Sequence, residues 1–202
     1  HKETYEIKFK SIREKKSLFQ IMCEDIKRAN VKYDVVIPWY IMTSEENDKA
    51  TKEYFKSHNF FGYPEEKIKF FTQVKLPLID INGKLILQEP YLIKDASNGN
   101  GNVFKSMKKH NIIEDLEKNN IKWISFGGID NILLKNVDPL FIGLTIDKNY
   151  QIASKSIFKE KPLQKTAVYC KKSGKPAILD YDDIDIKLSV SKFENGTYKY
   201  RE

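Results

Sequence analysis

A short apolar run, Val35–Thr43, lies between two stretches of helical periodicity, and this restricts the fold more than any other feature of the sequence. The run is rich in β-branched and aromatic side chains and reads as a buried strand. Pro38 inside it demands a bulge or an edge position. Before it, Ser17–Arg28 predicts a helix. Ser17 is a good N-cap, Gln20 three residues on gives a Ser-x-x-Gln capping box, and Leu18, Ile21, Met22 and Ile26 recur at helical spacing. After it, Ser44 opens a second helix with Ala50, Tyr54 and Phe55 on one face and Gly62 at its end. Ile68–Gln73 then reads as another strand. Strand and helix alternate, as in a mostly parallel α/β sheet.

Farther along, the pattern becomes strand-rich. Ile79–Leu87 predicts a hairpin turning at Asn82-Gly83. A Gly/Asn loop, Ser97–Asn102, leads into helical sequence through Val103, Phe104 and Met107, and a further helix runs through Ile112, Ile113 and Leu116. Trp123–Phe126 predicts a strand that enters Gly127-Gly128-Ile129-Asp130-Asn131. Gln151–Phe158, Thr166–Cys170 and Ala177–Tyr181 predict strands, and Lys192–Tyr200 a last hairpin around Asn195-Gly196. These strands suggest an antiparallel addition to the sheet. The sequence starts at His1 and both ends look like domain interior, so residues 1–202 read as one partial domain.

Composition limits the function classes. Hydrophobic residues make up 41%, with 12 Phe and 11 Tyr, enough for a core in a protein of 202 residues. The net charge of +7 is compatible with phosphate ligands. The lysines are interleaved with Asp and Glu throughout, which argues against a nucleic-acid surface. No stretch approaches a membrane span. Cys23 and Cys170 form no metal pattern and no disulfide framework, which suits reduced thiols in the cytoplasm.

In open α/β sheets, ligands bind beyond the carboxyl ends of the strands. Three places qualify: Gln73 at a strand end, the Asn98–Asn102 loop before a helix, and Asp130 after the Trp123 strand. Gly99 and Gly101 permit close backbone approach to an anion or a polar base. Asp130 would suit a hard cation such as Mg²⁺, or else caps its turn. His58 and His110 read as helix-surface residues.

Several motifs together resemble a known family. Ile37-Pro38-Trp39-Tyr40-Ile41-Met42-Thr43-Ser44 is nearly a signature of the eukaryotic-type UDP-N-acetylhexosamine pyrophosphorylases. Asn59-Phe60-Phe61-Gly62, Phe70-Phe71 with Gln73, Leu76-Pro77 and Asn82-Gly83-Lys84 follow in family order. Gly99-Asn100-Gly101 is similar to its D-G-N-G-G motif, and Asp130-Asn131-Ile132-Leu133 to its V-D-N-I-L block.

The resemblance implies a Rossmann-like nucleotidyltransferase domain that forms UDP-N-acetylglucosamine and pyrophosphate from UTP and N-acetylglucosamine 1-phosphate with Mg²⁺. It implies uracil contacts for Gln73 and Gly99, and a sugar or ribose contact for Asn100. Gly128 would lie by the nucleotide and Asp130 would hold the metal or phosphates. Asp180-Tyr181 stands in place of the family's Glu-Tyr sugar contact. Lys2 keeps the lysine of a P-K-G motif and would neutralise α-phosphate charge. The family's upstream phosphate loop would precede His1. Two alternatives stay open: a different or broad sugar specificity, from Asp180, and a non-catalytic uridine-nucleotide-binding module.

Overall fold

A computed structural model of the protein describes residues 6–7 and 15–200. It divides into two compact units, His1–Pro139 and Leu140–Glu202. The architecture is mixed α/β, as the sequence predicts.

In the first unit, β1 (Glu6–Ile7) pairs antiparallel with β2 (Lys16–Ser17). Helix α1 (Leu18–Tyr33) starts where predicted, with Ser17 Oγ accepting from the Gln20 N–H at 3.2 Å. Only this half of the capping box forms. The Gln20 side chain donates instead to Glu24 Oε1 at 3.0 Å, one helical turn on. The helix continues past Arg28 and ends at Asp34, whose left-handed conformation (φ 51°) turns its N–H back to the Asn30 carbonyl.

The strand predicted from Val35 begins later, as β3 (Trp39–Thr43). The Val35 and Ile37 N–H groups are spent on Asn30, closing the end of α1. Pro38 has no N–H and stands just before the ladder, so no bulge is needed. Helix α2 (Asp48–Ser57) follows a turn in which Ser44 and Asn47 cap each other, Ser44 N–H to Asn47 Oδ1 at 2.8 Å and Asn47 N–H to Ser44 Oγ at 3.3 Å. Phe55 is buried and Ala50 exposed on this helix. Gly62 closes the next, 3-10 turn, Asn59–Gly62, rather than α2 itself.

Asn59, Phe60 and Phe61 all have positive φ, which is costly for aromatic residues. Lys27 Nζ donates to the Phe61 carbonyl at 3.0 Å, and the Phe61 ring packs edge-on to Phe55 at 5.2 Å, so neighbours on two helices hold the run in place.

Strand β4 (Ile68–Thr72) pairs parallel with β3, from Trp39↔Ile68 to Thr43↔Thr72. A parallel neighbour needs a crossover, and α2 provides it. Next, β5 (Lys75–Pro77), β6 (Leu87–Glu89), β7 (Leu92–Ile93) and β8 (Asp95–Ser97) form two antiparallel pairs, β5 with β8 and β6 with β7. The hairpin predicted at Asn82-Gly83 is present, with Ile79 bridging Leu85 and Gly83 at φ 78°. Helices α3 (Val103–Lys109) and α4 (Ile112–Lys118) complete the ordered elements of this unit.

The β3–β4 pair is covered on both faces. Because side chains alternate, Ile41 and Ile68 meet Phe19, Cys23, Ile26, Phe55 and Tyr63, with Trp39 and Phe70 at the edge of that cluster. On the other face, Phe71 meets Met107, Ile112 and Leu116, flanked by Tyr40 and Met42. Two-sided burial explains why the β3 sequence is apolar throughout rather than alternating. Burial pushes the Cys23 thiol up to about 11, so it is a packing residue.

The strand predicted over Trp123–Phe126 does not form. Among the described residues no strand pairs with it, and Trp123, Ile124 and Phe126 are each at least 40% exposed.

Asp115 of α4 ties that helix to the sheet. It accepts from the Tyr40 hydroxyl at 2.6 Å and is ion-paired with Lys69. The Lys69 ammonium, and then the Tyr40 hydroxyl, hold its carboxyl below the usual range. A carboxyl lowered by folding stabilises the protein fully above its unfolded pKa, and that contribution is lost as pH falls through the folded value. Asp115→Asn is expected to destabilise the protein at neutral pH and to flatten the acid side of its stability profile. Urea midpoints across an acid titration test this, and an unchanged slope would overturn it.

In the second unit, α5 (Pro139–Asp147) is an element the sequence reading did not predict, although Pro at a first helical position is a start signal. The hairpin of β9 (Val168–Lys172) and β10 (Lys175–Leu179) matches the two predicted strands. Its turn uses Ser173 (φ 50°) and Gly174 (φ 77°), the two positive angles a tight hairpin requires. Helix α6 (Ile186–Ser189) and a bridge between Lys192 and Tyr198 around Asn195-Gly196 follow. The strand predicted over Gln151–Phe158 is absent: Ile152 is 87% and Ile157 70% exposed, without a ladder to bury them.

Candidate functional site

The carboxyl ends of β3 and β4 lie side by side, and several polar groups of the first unit gather there. Thr43 and Thr72 are the last residues of their strands, and the Gln73 N–H adds one more rung by donating to the Thr43 carbonyl at 2.7 Å. The Gln73 side chain is half-buried, and its Nε2 donates to the Gly99 carbonyl at 2.7 Å. The β5–β8 pairing makes this contact possible, because it brings Ser97 back beside Lys75. The Asn98 N–H donates to Val74 O at 3.4 Å, and the Val74 N–H donates to Ser106 Oγ at 3.1 Å.

Gly99 sits at φ 67° and ψ 165°, a backbone region open essentially only to glycine. Nothing lies within 4 Å of the position a Cβ would take, so the glycine leaves an open approach. Asn100 is exposed and starts the 3-10 turn Asn100–Asn102 leading into α3. Asn102 is 6% exposed, and its Nδ2 has no hydrogen-bond partner among the described residues.

Sequence reasoning missed several polar groups at this edge. His110, read as a surface residue, is half-buried with Nε2 3.1 Å from Thr72 Oγ1. Thr43 Oγ1 donates to Asp48 Oδ1 at 2.7 Å, and Lys52 donates to Asp48 Oδ2 at 2.6 Å. Burial raises the Asp48 carboxyl, but Lys52 and Thr43 together bring it below its ordinary value. Lys75 pairs with Glu45 at 3.2 Å and with Glu46. The only signal for His110 was its place one turn after Ser106 on a helix that leaves the glycine loop.

The other predicted residues lie elsewhere. Gly128 and Asp130 share a second loop of the first unit, held by the Asn131 N–H donating to Gly128 O at 3.1 Å. Asp130 Oδ1 lies 2.9 Å from where a Cβ on Gly128 would stand, so glycine permits this close approach. Ile129 packs against the cluster around Phe55, which anchors the loop, while Asp130 is exposed. Among the described residues no hydrogen bond engages the Asp130 carboxylate, so the turn is held without it. No group of three His, Cys, Asp or Glu side chains gathers among the described residues. Asp180 and Tyr181 are exposed in the second unit, just after β10, where Asp180 Oδ1 accepts from the Asp182 N–H at 3.3 Å. Lys2 lies outside the described residues.

The family model of UTP–glucose-1-phosphate uridylyltransferase matches residues 7–199. The protein belongs to the UTP–glucose-1-phosphate uridylyltransferase family. Within this uridylyltransferase family it is similar to a UDP-N-acetylglucosamine pyrophosphorylase of Saccharomyces cerevisiae, 37% identical over 191 residues that cover 93% of its length and 40% of the relative. A UDP-N-acetylglucosamine diphosphorylase of Arabidopsis thaliana is 34% identical, covering 92% of the sequence and 40% of the relative. The crystal structure of a Trypanosoma brucei uridine diphosphate N-acetylglucosamine pyrophosphorylase in complex with an inhibitor superposes with a TM-score of 0.86 and 28% identity, over 99% of the sequence and 41% of that structure. The resemblance read from the motifs is therefore borne out, and the sequence spans about two-fifths of the length of these relatives. No helix among the described residues of this uridylyltransferase-family protein is long and apolar enough to cross a membrane.

Proposed function

We propose that the sequence is the central part of a Rossmann-like catalytic domain that forms UDP-N-acetylglucosamine and pyrophosphate from UTP and N-acetylglucosamine 1-phosphate. The observation that carries this reading is the contact between the Gln73 amide and the Gly99 carbonyl, at the carboxyl end of a parallel strand pair. With its Nε2 held by Gly99, Gln73 presents Oε1 as an acceptor. The Gly99 N–H, without a hydrogen-bond partner among the described residues, offers a donor on the residue that Gln73 touches. An acceptor next to a donor matches the N–H and carbonyl edge of uracil. The two free cysteines, Cys23 and Cys170, fit a cytoplasmic protein.

In the proposed reaction, a phosphate oxygen of the sugar phosphate attacks the α-phosphorus of UTP. The new P–O bond forms as the bond to the pyrophosphate oxygen breaks, and the electron pair leaves with pyrophosphate. The nucleophile is already an anion, so positioning and charge neutralisation do the catalytic work. Gln73 and Gly99 orient the base, and Asn100 the ribose or sugar side. Asp180 and Tyr181 are assigned to the sugar, and Lys2 to the α-phosphate charge. Gly128 brings the backbone close to the nucleotide beside Asp130. A single accessible carboxylate such as Asp130 is a donor set that Mg²⁺ accepts when phosphate oxygens and water complete its shell. Mg²⁺, when bound, supplies charge neutralisation on the phosphoryl oxygens.

The full-length polypeptide, given UTP, Mg²⁺ and N-acetylglucosamine 1-phosphate, is expected to release pyrophosphate. UDP-sugar binding without any turnover would replace this reading with a non-catalytic uridine-binding module. Because Asp180 is one methylene shorter than glutamate, kcat/KM is to be compared across sugar phosphates in the same assay. Gln73→Ala is expected to reduce the preference for UTP over CTP about tenfold, the worth of one hydrogen bond. An unaltered preference would remove Gln73 from the uracil site.

A further inference from the structure

We propose that the Asn98–Gly99 peptide is a self-modifying site, at which Asn98 deamidates through a succinimide and so ages the nucleotide loop. Four Asn-Gly sequences occur in the protein, at Asn82, Asn98, Asn100 and Asn195. Their reactivity depends on whether the glycine nitrogen is free to reach the asparagine side chain, and the structure separates them on that ground.

At Asn82, the Gly83 N–H is held by the Asp80 carbonyl at 3.0 Å. At Asn195, the Gly196 N–H is held by the Phe193 carbonyl at 2.9 Å, and the Asn195 amide oxygen accepts from both the Thr197 N–H and hydroxyl, at 3.1 and 2.6 Å. Asn100 and Gly101 lie inside the 3-10 turn Asn100–Asn102, whose helical ψ turns the glycine nitrogen away from Cγ of the asparagine. Asn98 precedes that turn and lies in no helix or strand. Among the described residues, nothing accepts from the Gly99 N–H and nothing engages the Asn98 side-chain amide.

The chemistry needs only water. The Gly99 nitrogen, losing its proton to solvent, attacks Cγ of Asn98. A bond forms between that nitrogen and Cγ, the Cγ–Nδ2 bond breaks, and ammonia leaves. Water then opens the five-membered ring at either carbonyl, giving Asp or isoaspartyl at position 98. Either product places a negative charge one residue from the Gly99 carbonyl that receives Gln73. The isoaspartyl product also lengthens the backbone there by one carbon.

The test is to hold the intact protein at mildly alkaline pH, then map peptides by mass and separate Asp from isoaspartyl forms. Asn98 is expected to convert first, well ahead of Asn82, Asn100 and Asn195. Asn98→Gln, whose longer side chain would close a slower six-membered ring, is expected to leave that peptide unchanged. Conversion of Asn82 or Asn195 as fast as Asn98, or a persistent Asn98 amide, would overturn the proposal. The effect on binding rests on the uracil reading given above. UTP present during incubation is expected to protect Asn98 by occupying the Gly99 N–H. Conversion at Asn98 that UTP does not slow would count against the uracil reading and leave the modification site standing.

Discussion

Asp130→Asn is expected to lower kcat by roughly 10²–10³-fold while leaving uridine-nucleotide affinity nearly unchanged. The substitution keeps the shape of the side chain and removes its charge. The loop survives it, because the turn is closed by the Asn131 N–H and the Gly128 carbonyl, and Ile129 is anchored in the core. The base is assigned to Gln73 and Gly99 on another loop, so its recognition does not depend on the Asp130 charge. During transfer, negative charge accumulates on the pyrophosphate oxygens, and Asp130 is the residue assigned to hold the neutralising cation. Steady-state kcat and KM, with a separate UTP dissociation constant, distinguish the two effects. An unchanged kcat would leave Asp130 as an ordinary loop residue and send the search for the cation ligand elsewhere.

Phe55→Ala is expected to cost about 3–5 kcal/mol of stability. Phe55 is fully buried, and four aromatic rings pack edge-on to it: Phe19 at 4.8 Å, Phe70 at 5.1 Å, Phe61 at 5.2 Å and Trp39 at 5.6 Å. Such pairs add about 0.5–1.5 kcal/mol each beyond the area they bury. A domain of ordinary stability has only about 5–15 kcal/mol in total, so this one truncation threatens the fold. The loss also removes support from Phe60 and Phe61, whose positive φ angles are kept by packing on this ring. Urea midpoints at constant slope measure the change, and Phe55→Leu should lose less. A loss below about 1 kcal/mol would show that α2 is held to the sheet by something other than this cluster.

Much of the first unit was legible in the sequence. Ser17, the apolar Trp39–Thr43 segment and the Ile68–Thr72 segment each carried local signals strong enough to place a helix start and two strands. The Gln73–Gly99 contact was legible only through family motifs, because the residues meet through a strand pairing that neither one announces. Errors arose where a local pattern lacked its tertiary partner. Trp123–Phe126 and Gln151–Phe158 have strand-like composition, but a strand also needs a neighbour to bond. His110 went the other way: it read as a helix-surface residue, and only the arrival of Thr72 gave it a partner. Gln20 shows the same competition at short range, since Glu24 one turn on took the hydrogen bond that a capping box would have used.

The pairing of β5 with β8 has a practical consequence. It clamps the two ends of an excursion, Leu78–Lys94, whose outermost residues, Ile81 and Tyr91, are fully exposed. The Leu78 N–H donates to Lys94 O at 2.8 Å and reinforces the clamp. Changes of length beyond this neck alter the hairpin and leave the spacing of Gln73 and Gly99 alone. A label or affinity tag can therefore be spliced between Asp80 and Lys84 with the Gln73–Gly99 contact left in place.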